Sequence, residues 1–276
     1  MSATIYEPNK QVKLGLKIWP EMFKEAYRSR ELTWRLFIRN LLARYKQAVL
    51  GYLWALIMPF IAIGTFMFLN KSGVMNISHT DVPYPLFALI GLTVWQLFST
   101  GITSGAQSLV SSGGMITQIN FSLESLVFSS MAQAVFEFLI KLILIVVFFV
   151  LYQFLPSWKA LLFPIVLLPM LFLTMGCSFL LSLINGVLRD VANMVSLVTT
   201  FLLFATPVLY PAKNAENIFF KWNPLNYLVN APRDIIIYGR IKELEGFLWA
   251  TVFSVLLFFV AWRIFFIAKT KIPERI

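Results

Sequence analysis

The most constraining feature of the sequence is an apolar run, residues 51–69, that contains no charged side chain. A helix of about nineteen residues matches the roughly 30 Å hydrocarbon core of a bilayer. We therefore expect this run to form a transmembrane helix.

That preceding segment, residues 31–50, combines apolar spacing with positive charge. Its apolar residues recur three and four positions apart and so share one helix face; they are Trp34, Phe37, Ile38, Leu41, Leu42 and Tyr45. The cationic residues among them are Arg35, Arg39, Arg44 and Lys46. This combination is typical of a membrane interface, so we expect an amphipathic interface helix. A simple basic anchor before a first span is the alternative.

Composition places the whole chain in the membrane class. Of its 276 residues, 59% are hydrophobic and only 13% are charged, whereas a soluble domain is nearer ~25% charged. The net charge of +10 is concentrated early, since ten of the 23 Lys and Arg residues lie within residues 1–50. This placement favours anionic membrane lipids over nucleic acid as the partner. With one Cys and one His, we expect no metal site.

Six apolar runs predict the membrane topology. They cover about residues 51–69, 84–105, 131–155, 160–184, 194–210 and 247–268. Six spans put both termini on one side, and the basic N-terminal segment places that side in the cytoplasm. Residues 1–30 are then a cytoplasmic N-terminal segment, and residues 269–276 are a cytoplasmic tail.

Two segments between these runs are neither span nor simple loop. Residues 106–130 are rich in Ser, Gly, Gln and Asn, which predicts an intracellular excursion with a short amphipathic helix at about 116–128. Residues 211–246 are too polar to span and too apolar for a free loop, so we expect two short reentrant helices at the outer face. The predicted fold is an all-α integral membrane protein with six transmembrane helices, an N-terminal interface helix and short reentrant outer helices.

Two residue pairs within the spans stand out. Gly101 and Gly105 form a small-xxx-small pair, which lets a neighbouring helix approach closely. Glu137 and Lys141 are four positions apart with the acid first, the better orientation for a helical ion pair. Charges inside a span usually mark function, but a purely structural pair that neutralises itself is the alternative.

The sequence contains no motif for nucleotide chemistry. No Gly is followed by Lys, which excludes a phosphate-binding loop of the GxxxxGK[ST] type. HExxH and CxxC motifs are absent too. We therefore expect a transport protein that is not itself an enzyme, and active transport would draw on a partner or an ion gradient. No convincing inverted repeat is found, which disfavours an ion-coupled carrier.

Two stretches resemble the membrane subunits of ABC-type polysaccharide exporters, the family of O-antigen, teichoic-acid and capsule permeases. They are RYKQAVLGYLWALIMPF, residues 44–60, and WNPLNYLVNAPRDIIIYG, residues 222–239. The resemblance implies export of a lipid-linked polysaccharide across the bacterial cytoplasmic membrane by a homodimer that works with two copies of an ATP-binding subunit. It implies ATP and Mg²⁺ on that subunit and no cofactor on this chain.

The resemblance also assigns roles to single positions. Coupling to the ATP-binding subunit maps to the interface helix, to residues 106–130 and to the turn after the fourth span. The residues are Arg35, Arg39, Arg44, Gln118, Asn120, Glu124, Arg189 and Asp190. For the last two, a locally neutralised turn is the alternative. An outer gate maps to residues 211–246, and its candidates are Trp222, Pro224, Asn226, Tyr227 and Arg233.

Aromatic side chains are candidates for the substrate pathway, because sugars favour aromatic faces. The candidates are Tyr52, Trp54, Phe60, Phe201, Phe204 and Tyr210, and contact with lipid is the alternative for each. Arg35, Arg39 and Arg44 are also candidates for the pyrophosphate of a lipid carrier, since guanidinium binds phosphate in bidentate fashion. Bulk anionic lipid is the alternative there.

Three other functions are compatible with the sequence. An exporter of drugs or lipids would share the architecture and differ in its cargo. An ion-coupled secondary carrier would transport without any ATPase. A membrane scaffold would neither transport nor regulate an ATPase.

Overall fold

The helices of this chain are defined in a computed structural model that describes residues 18–45, 53–72, 81–116, 121–211 and 221–269. These residues contain helices and turns but no strand, which confirms the all-α expectation. The helices are α1 (Ile18–Arg28), α2 (Arg30–Tyr45), α3 (Leu53–Lys71), α4 (Tyr84–Gln107), α5 (Gly113–Ile116), α6 (Glu124–Leu151), α7 (Phe163–Val187), α8 (Val191–Ala205), α9 (Pro224–Tyr238) and α10 (Leu244–Ala268).

Four helices in the described part of the chain are long and apolar enough to cross a membrane: α4, α6, α10 and α7 with the 3₁₀ turn before it. They pack side by side, with α7 between α4 and α10, and with α6 on the far side of α4. Helix α8 and the apolar part of α3 are shorter. The protein is thus a multi-pass membrane protein, while the count of six spans remains a prediction.

The predicted third span differs from the helix that contains it. Helix α6 begins at Glu124 rather than near residue 131. Serine does not interrupt it, because Ser129 and Ser130 donate hydrogen bonds to their own helix, at the carbonyls of Leu126 and Val127. Part of the stretch expected to leave the membrane domain therefore extends a spanning helix.

The short helix expected at residues 116–128 is not present as one element. Helix α5 ends at Ile116, and Phe121 to Leu123 are non-helical before α6 begins; residues 117–120 lie outside the described part. The described residues on either side of this gap are packed against the helix bundle. Leu109, Ile116 and Leu123 are buried in a hydrophobic cluster with Phe179 of α7 and with residues of α10.

The helix bundle has two ends that differ in their contacts. At one end, Lys269 after α10 meets Glu25 of α1, and Asn185 of α7 donates to the carbonyl of Ala106 in α4. We call this the N-terminal end, because α1 and α2 lie there. At the opposite end, Tyr238 of α9 bonds to Asp81, just before α4.

Helices α4 and α7 approach each other closely through small residues, as the Gly101 and Gly105 pair predicted. A Cβ atom at Gly101 would meet the side chain of Thr174, and one at Gly105 would meet Ser178. The Ser178 hydroxyl donates to the Thr174 carbonyl of its own helix at 2.7 Å and, more weakly, to the Gly101 carbonyl at 3.2 Å. A methyl group at either glycine would therefore push the two helices apart.

Replacing Gly105 by Ala is expected to destabilise the protein by about 1–3 kcal/mol, the usual cost of overpacking, partly offset by the higher helix propensity of Ala. Thermal unfolding of the purified protein in detergent measures this. Gly64→Ala in α3 is the matched control, because a Cβ there meets no atom within 4 Å. Equal unfolding temperatures for the two variants would contradict the close approach.

Candidate functional site

A single buried guanidinium organises the opposite end of the bundle. Arg233 of α9 is 2% exposed. It donates to the carbonyl of Val208 at 2.6 Å, more weakly to that of Pro207 at 3.4 Å, and to the Asn230 side chain at 3.2 Å. Its guanidinium carbon lies 3.8 Å from the centre of the Phe87 ring in α4, a cation–π contact. One side chain thus joins α9, α4 and the segment after α8.

The sequence makes room for this side chain and keeps it charged. Gly91 of α4 lies directly against the guanidinium, where a Cβ atom would collide with it. Burial lowers the pKa of Arg233 to about 10, and the neighbouring Asp234 carboxylate opposes that shift. Arg233 is therefore protonated at neutral pH. Burial also raises the pKa of Asp234, which accepts a hydrogen bond from the Lys242 backbone at 3.1 Å.

Beside Arg233 lies a small polar cavity of about 160 Å³. The Tyr238 hydroxyl donates to Asp81 at 2.7 Å, and the Lys242 ammonium lies 3.7 Å from the same carboxylate and over the Tyr238 ring. Burial, and then the hydrogen bond to Asp81, raise the pKa of Tyr238. These contacts join α9 to the chain just before α4.

The residues predicted as an outer gate are partly brought together. Arg233 and Asn226 share Asn230, whose amide donates to Asn226 at 2.8 Å. Tyr227 donates to the Lys221 carbonyl at 2.9 Å. Trp222 lies apart, 67% exposed, with its ring edge-on to Trp249 of α10. Pro224 is in the first turn of α9, where its missing N–H costs nothing.

The reentrant pair expected at residues 211–246 contains one long helix, α9, within its described part; residues 212–220 lie outside that part. Helix α9 is largely buried against α10, α7 and α4. Neighbouring helices of the same chain thus cover α9, and its reentrant position in the membrane remains a prediction.

A buried carboxylate organises the N-terminal end. Glu124 at the start of α6 is 0% exposed. It accepts hydrogen bonds from the Trp262 indole of α10 at 3.2 Å and from Ser122 at 2.9 Å. Lys269 lies 3.7 Å from it and 2.6 Å from Glu25 of α1. The last turn of α1, the start of α6 and the end of α10 are thereby connected. Glu124 is inaccessible to a partner protein.

Helix α2 packs against α6. Leu36, Phe37 and Leu41 are buried, and the Phe37 ring meets Phe136 of α6 at 6.0 Å between centroids. Trp34 and Leu42 of the predicted apolar stripe are 62% and 56% exposed. The helix therefore has one face on the bundle and an additional exposed apolar surface.

The three arginines predicted in this helix differ in their surroundings. Arg35 is exposed and pairs with Glu31 at 2.7 Å, one turn earlier. Arg39 is exposed and donates to Asn40 and to the sulfur of Met115. The side chain of Arg44 lies outside the described part of the chain.

A cavity of about 450 Å³ lies between α2, α4 and α6 at the N-terminal end. Arg39 and Asn40 line it from α2, and a group of hydroxyl and amide side chains lines it from the other helices: Ser104, Gln107, Ser108, Ser111, Ser112, Ser129, Ser130 and Gln133. The serine-rich composition of residues 106–130 was visible in the sequence. The position of α2 beside these serines was not visible there.

The predicted pathway aromatics are mostly at the surface of this chain. Trp54, Phe60, Phe201 and Phe204 are exposed between 45% and 71%. Tyr210 donates its hydroxyl to the Phe204 carbonyl at 2.6 Å. Tyr52 lies outside the described residues. Exposed aromatic rings are compatible both with a substrate pathway between two copies of the chain and with contact to membrane lipid.

The remaining predicted positions fall into two groups. Arg189 and Asp190 are exposed in the turn between α7 and α8. Glu137 and Lys141 are both 5% exposed on α6, one turn apart. Gln118 and Asn120 lie outside the described part of the chain.

Removing the buried guanidinium is expected to destabilise the opposite end. Arg233→Met leaves the carbonyls of Val208 and Pro207 without this donor, at a cost of about 1–3 kcal/mol. Gly91→Ala should have a similar effect, and the double variant should cost less than the sum of the two. Thermal unfolding checks all three. The exposed Arg240→Met is the control, and additive effects would argue against a shared contact.

The two acids at the N-terminal end should behave differently. Glu124→Leu leaves the buried Trp262 indole without its acceptor and is expected to cost about 1–3 kcal/mol. Glu25→Gln should cost less than about 1 kcal/mol, because the Glu25 side chain is 37% exposed. Thermal unfolding compares them. A larger loss of stability from the Glu25 variant would show that Glu25, and not Glu124, is the main connection at this end.

The chain is similar to a known transporter family and to several known transport proteins. The ABC-2 type transporter family matches residues 31–237. The O-antigen export system permease protein RfbA of Myxococcus xanthus is 29% identical over 261 residues, which are 92% of this chain and 99% of that protein. The Klebsiella pneumoniae protein of the same name is 27% identical, covering 74% of this chain and 79% of its own. The Escherichia coli polysialic acid transport protein KpsM is 20% identical, covering 82% and 88%.

The family match extends from α2 through α9, and so it includes both the cavity at the N-terminal end and the buried Arg233 at the opposite end. Because the match covers most of the chain, the protein belongs to the family of ABC-2 type transporters.

Proposed function

We propose that this chain is the membrane-spanning permease subunit of an ATP-driven exporter of lipid-linked polysaccharide. The observation that carries the proposal is the end-to-end similarity to an O-antigen export permease, which covers 99% of that relative and 92% of this chain. The similarity to a polysialic acid transport protein over 82% of the chain supports a glycan cargo. ATP and Mg²⁺ would bind to a separate ATP-binding subunit, because the sequence contains no phosphate-binding loop.

We place the N-terminal end of the bundle in the cytoplasm, with both termini there and six spans in the cytoplasmic membrane. The basic residues of α1 and α2 support this orientation. Two copies of the chain, related by a twofold axis, would enclose the pathway and contact two ATP-binding subunits. Exposed aromatic side chains of the two copies, such as Phe201 and Phe204, would form part of the wall of that pathway.

Coupling in this arrangement runs through α2 and the exposed turn at Arg189 and Asp190. Arg39 and Arg35 are exposed and so are available to a partner protein or to a phosphate. Glu124 acts differently, because its buried carboxylate joins α6 to α10 directly and to α1 through Lys269. It would transmit a displacement of α1 rather than meet the partner directly.

The first experiment is co-purification. The tagged chain, extracted from its native membrane, should carry a bound ATPase that is identified by mass spectrometry and whose hydrolysis depends on the chain. Deletion of the chain should remove the glycan from the cell surface. Transport by the purified chain without any ATPase would contradict the proposal, as would normal surface glycan in the deletion strain.

Reversing the charge of α2 should abolish export. The double change Arg39→Glu and Arg44→Glu replaces two cations of α2 by carboxylates, which repel phosphate and an anionic membrane surface. Surface glycan, detected with a lectin or antibody, is expected to fall to background while membrane insertion is unchanged.

The double change to Lys at the same positions keeps the charge and is the control for this prediction. It should retain most of the surface glycan. Full export by the Glu double variant would contradict a role for positive charge in α2.

A further inference from the structure

The cavity at the N-terminal end has the size of a ligand site. Its volume is about 450 Å³, within the ~300–1,000 Å³ usual for small-molecule pockets. The cavity beside Arg233 at the opposite end is about 160 Å³, which is below that range. Of these two cavities, the one between α2, α4 and α6 is therefore the better candidate for a bound group.

The serine side chains of this cavity present acceptors to its interior. Ser104 and Ser108 donate to carbonyls of α4, at Thr100 and Gly105. Ser129 and Ser130 donate to carbonyls of α6 at 2.9 and 2.8 Å. Since each hydroxyl has one proton and two lone pairs, an oxygen whose proton is bonded to its own helix can still accept. The serine wall thus favours a ligand that carries several hydrogen-bond donors.

The other lining groups narrow the chemistry further. The amides of Gln107 and Gln133 offer both donors and acceptors, and Gln133 is only 8% exposed. No carboxylate is among the lining residues in the described part of the chain, which disfavours an ammonium group. A phosphate only accepts hydrogen bonds, and Ser104, Ser108, Ser129 and Ser130 already donate their protons to their own helices. The one cation in the described lining, Arg39, is exposed and lies on α2.

We infer that this cavity binds a neutral sugar unit of the exported glycan through the hydroxyl groups of that sugar. A sugar ring carries many hydroxyl donors and no charge, which matches a wall of serine oxygens and amides. The inference rests on the proposed function and adds a location for the cargo. Ser129, Ser130 and Gln133 hold the sugar from α6, and Ser104, Gln107 and Ser108 hold it from α4.

The position of α2 gives this site a link to the transport cycle. Asn40 and Ala43 of α2 form part of the wall, and α2 packs on α6, with the Phe37 ring against Phe136. A shift of α2 by a partner subunit would therefore change the shape of the cavity. Sugar binding and ATPase activity are coupled in this way, without direct contact between the sugar and the ATPase.

Binding of defined probes to the purified permease–ATPase complex tests the inference. The probes are farnesyl diphosphate and the same molecule carrying one neutral hexose or N-acetylhexosamine, from a panel of such sugars, measured by isothermal titration calorimetry. We expect at least one sugar to tighten binding to the wild-type complex by about tenfold, the effect of one or two net hydrogen bonds. The double change Ser129→Ala and Ser130→Ala, and separately Gln133→Leu, should remove this gain and leave farnesyl diphosphate binding unchanged.

Ser182→Ala is the matched control. Ser182 of α7 is also buried and also donates to its own helix, at Phe179, but it does not line the cavity. This variant should keep the full gain from the sugar. Retention of the gain in both cavity variants overturns the inference, as does the absence of a gain from every sugar tested on the wild-type complex.

Surface glycan in the deletion strain distinguishes a failure of the inference from a failure of the proposed function. If deletion of the chain abolishes surface glycan while the cavity variants keep the sugar-dependent gain, the proposed function stands and the inference is wrong. If surface glycan persists in the deletion strain, the proposed function is wrong and the inference is wrong with it.

Discussion

The close packing of α4 on α7 is the contact on which the rest of the bundle depends. Within a bilayer, burial of apolar side chains does little to drive helices together, because lipid is as apolar as the protein. Close backbone contact and hydrogen bonds between helices must hold them together instead. Gly101 and Gly105 bring the backbones together, Ser178 donates to the Gly101 carbonyl, and Asn185 donates to the Ala106 carbonyl. The other long helices then pack around this pair, with α10 on α7 and α6 on α4.

Charged groups are buried at both ends of this bundle, each among its own hydrogen-bond partners. Arg233 has two backbone carbonyls, Asn230 and the face of Phe87. Glu124 has an indole, a hydroxyl and a nearby ammonium. An isolated charge in such surroundings would be costly. The two groups therefore fix which segments meet at each end, and the family match covers both positions.

The two ends also differ in what they offer to a ligand. The opposite end is tightly bonded around a small cavity, while the N-terminal end has a larger polar cavity with α2 as one wall. Helix α2 leans on α6 by a few apolar side chains and exposes its arginines Arg35 and Arg39. The function proposed above requires an element of this kind, which packs on the membrane domain closely enough to move it and remains exposed to a partner protein.

The sequence by itself determined the membrane class, the helical fold, the approximate position of the long apolar helices and the close approach at Gly101 and Gly105. These follow from local properties, namely apolar length, charge content and side-chain size. The resemblance to the exporter family also pointed to Arg233 and Glu124.

Only the tertiary structure decided what these residues contact. It moved the start of α6 to Glu124 and buried that carboxylate beside Trp262 and Lys269. It also covered α9 with neighbouring helices and placed α2 beside the serines. The partners of these groups lie far away in the chain, and no periodicity records them. A buried charge or hydroxyl takes its role from the donors and acceptors that folding brings to it.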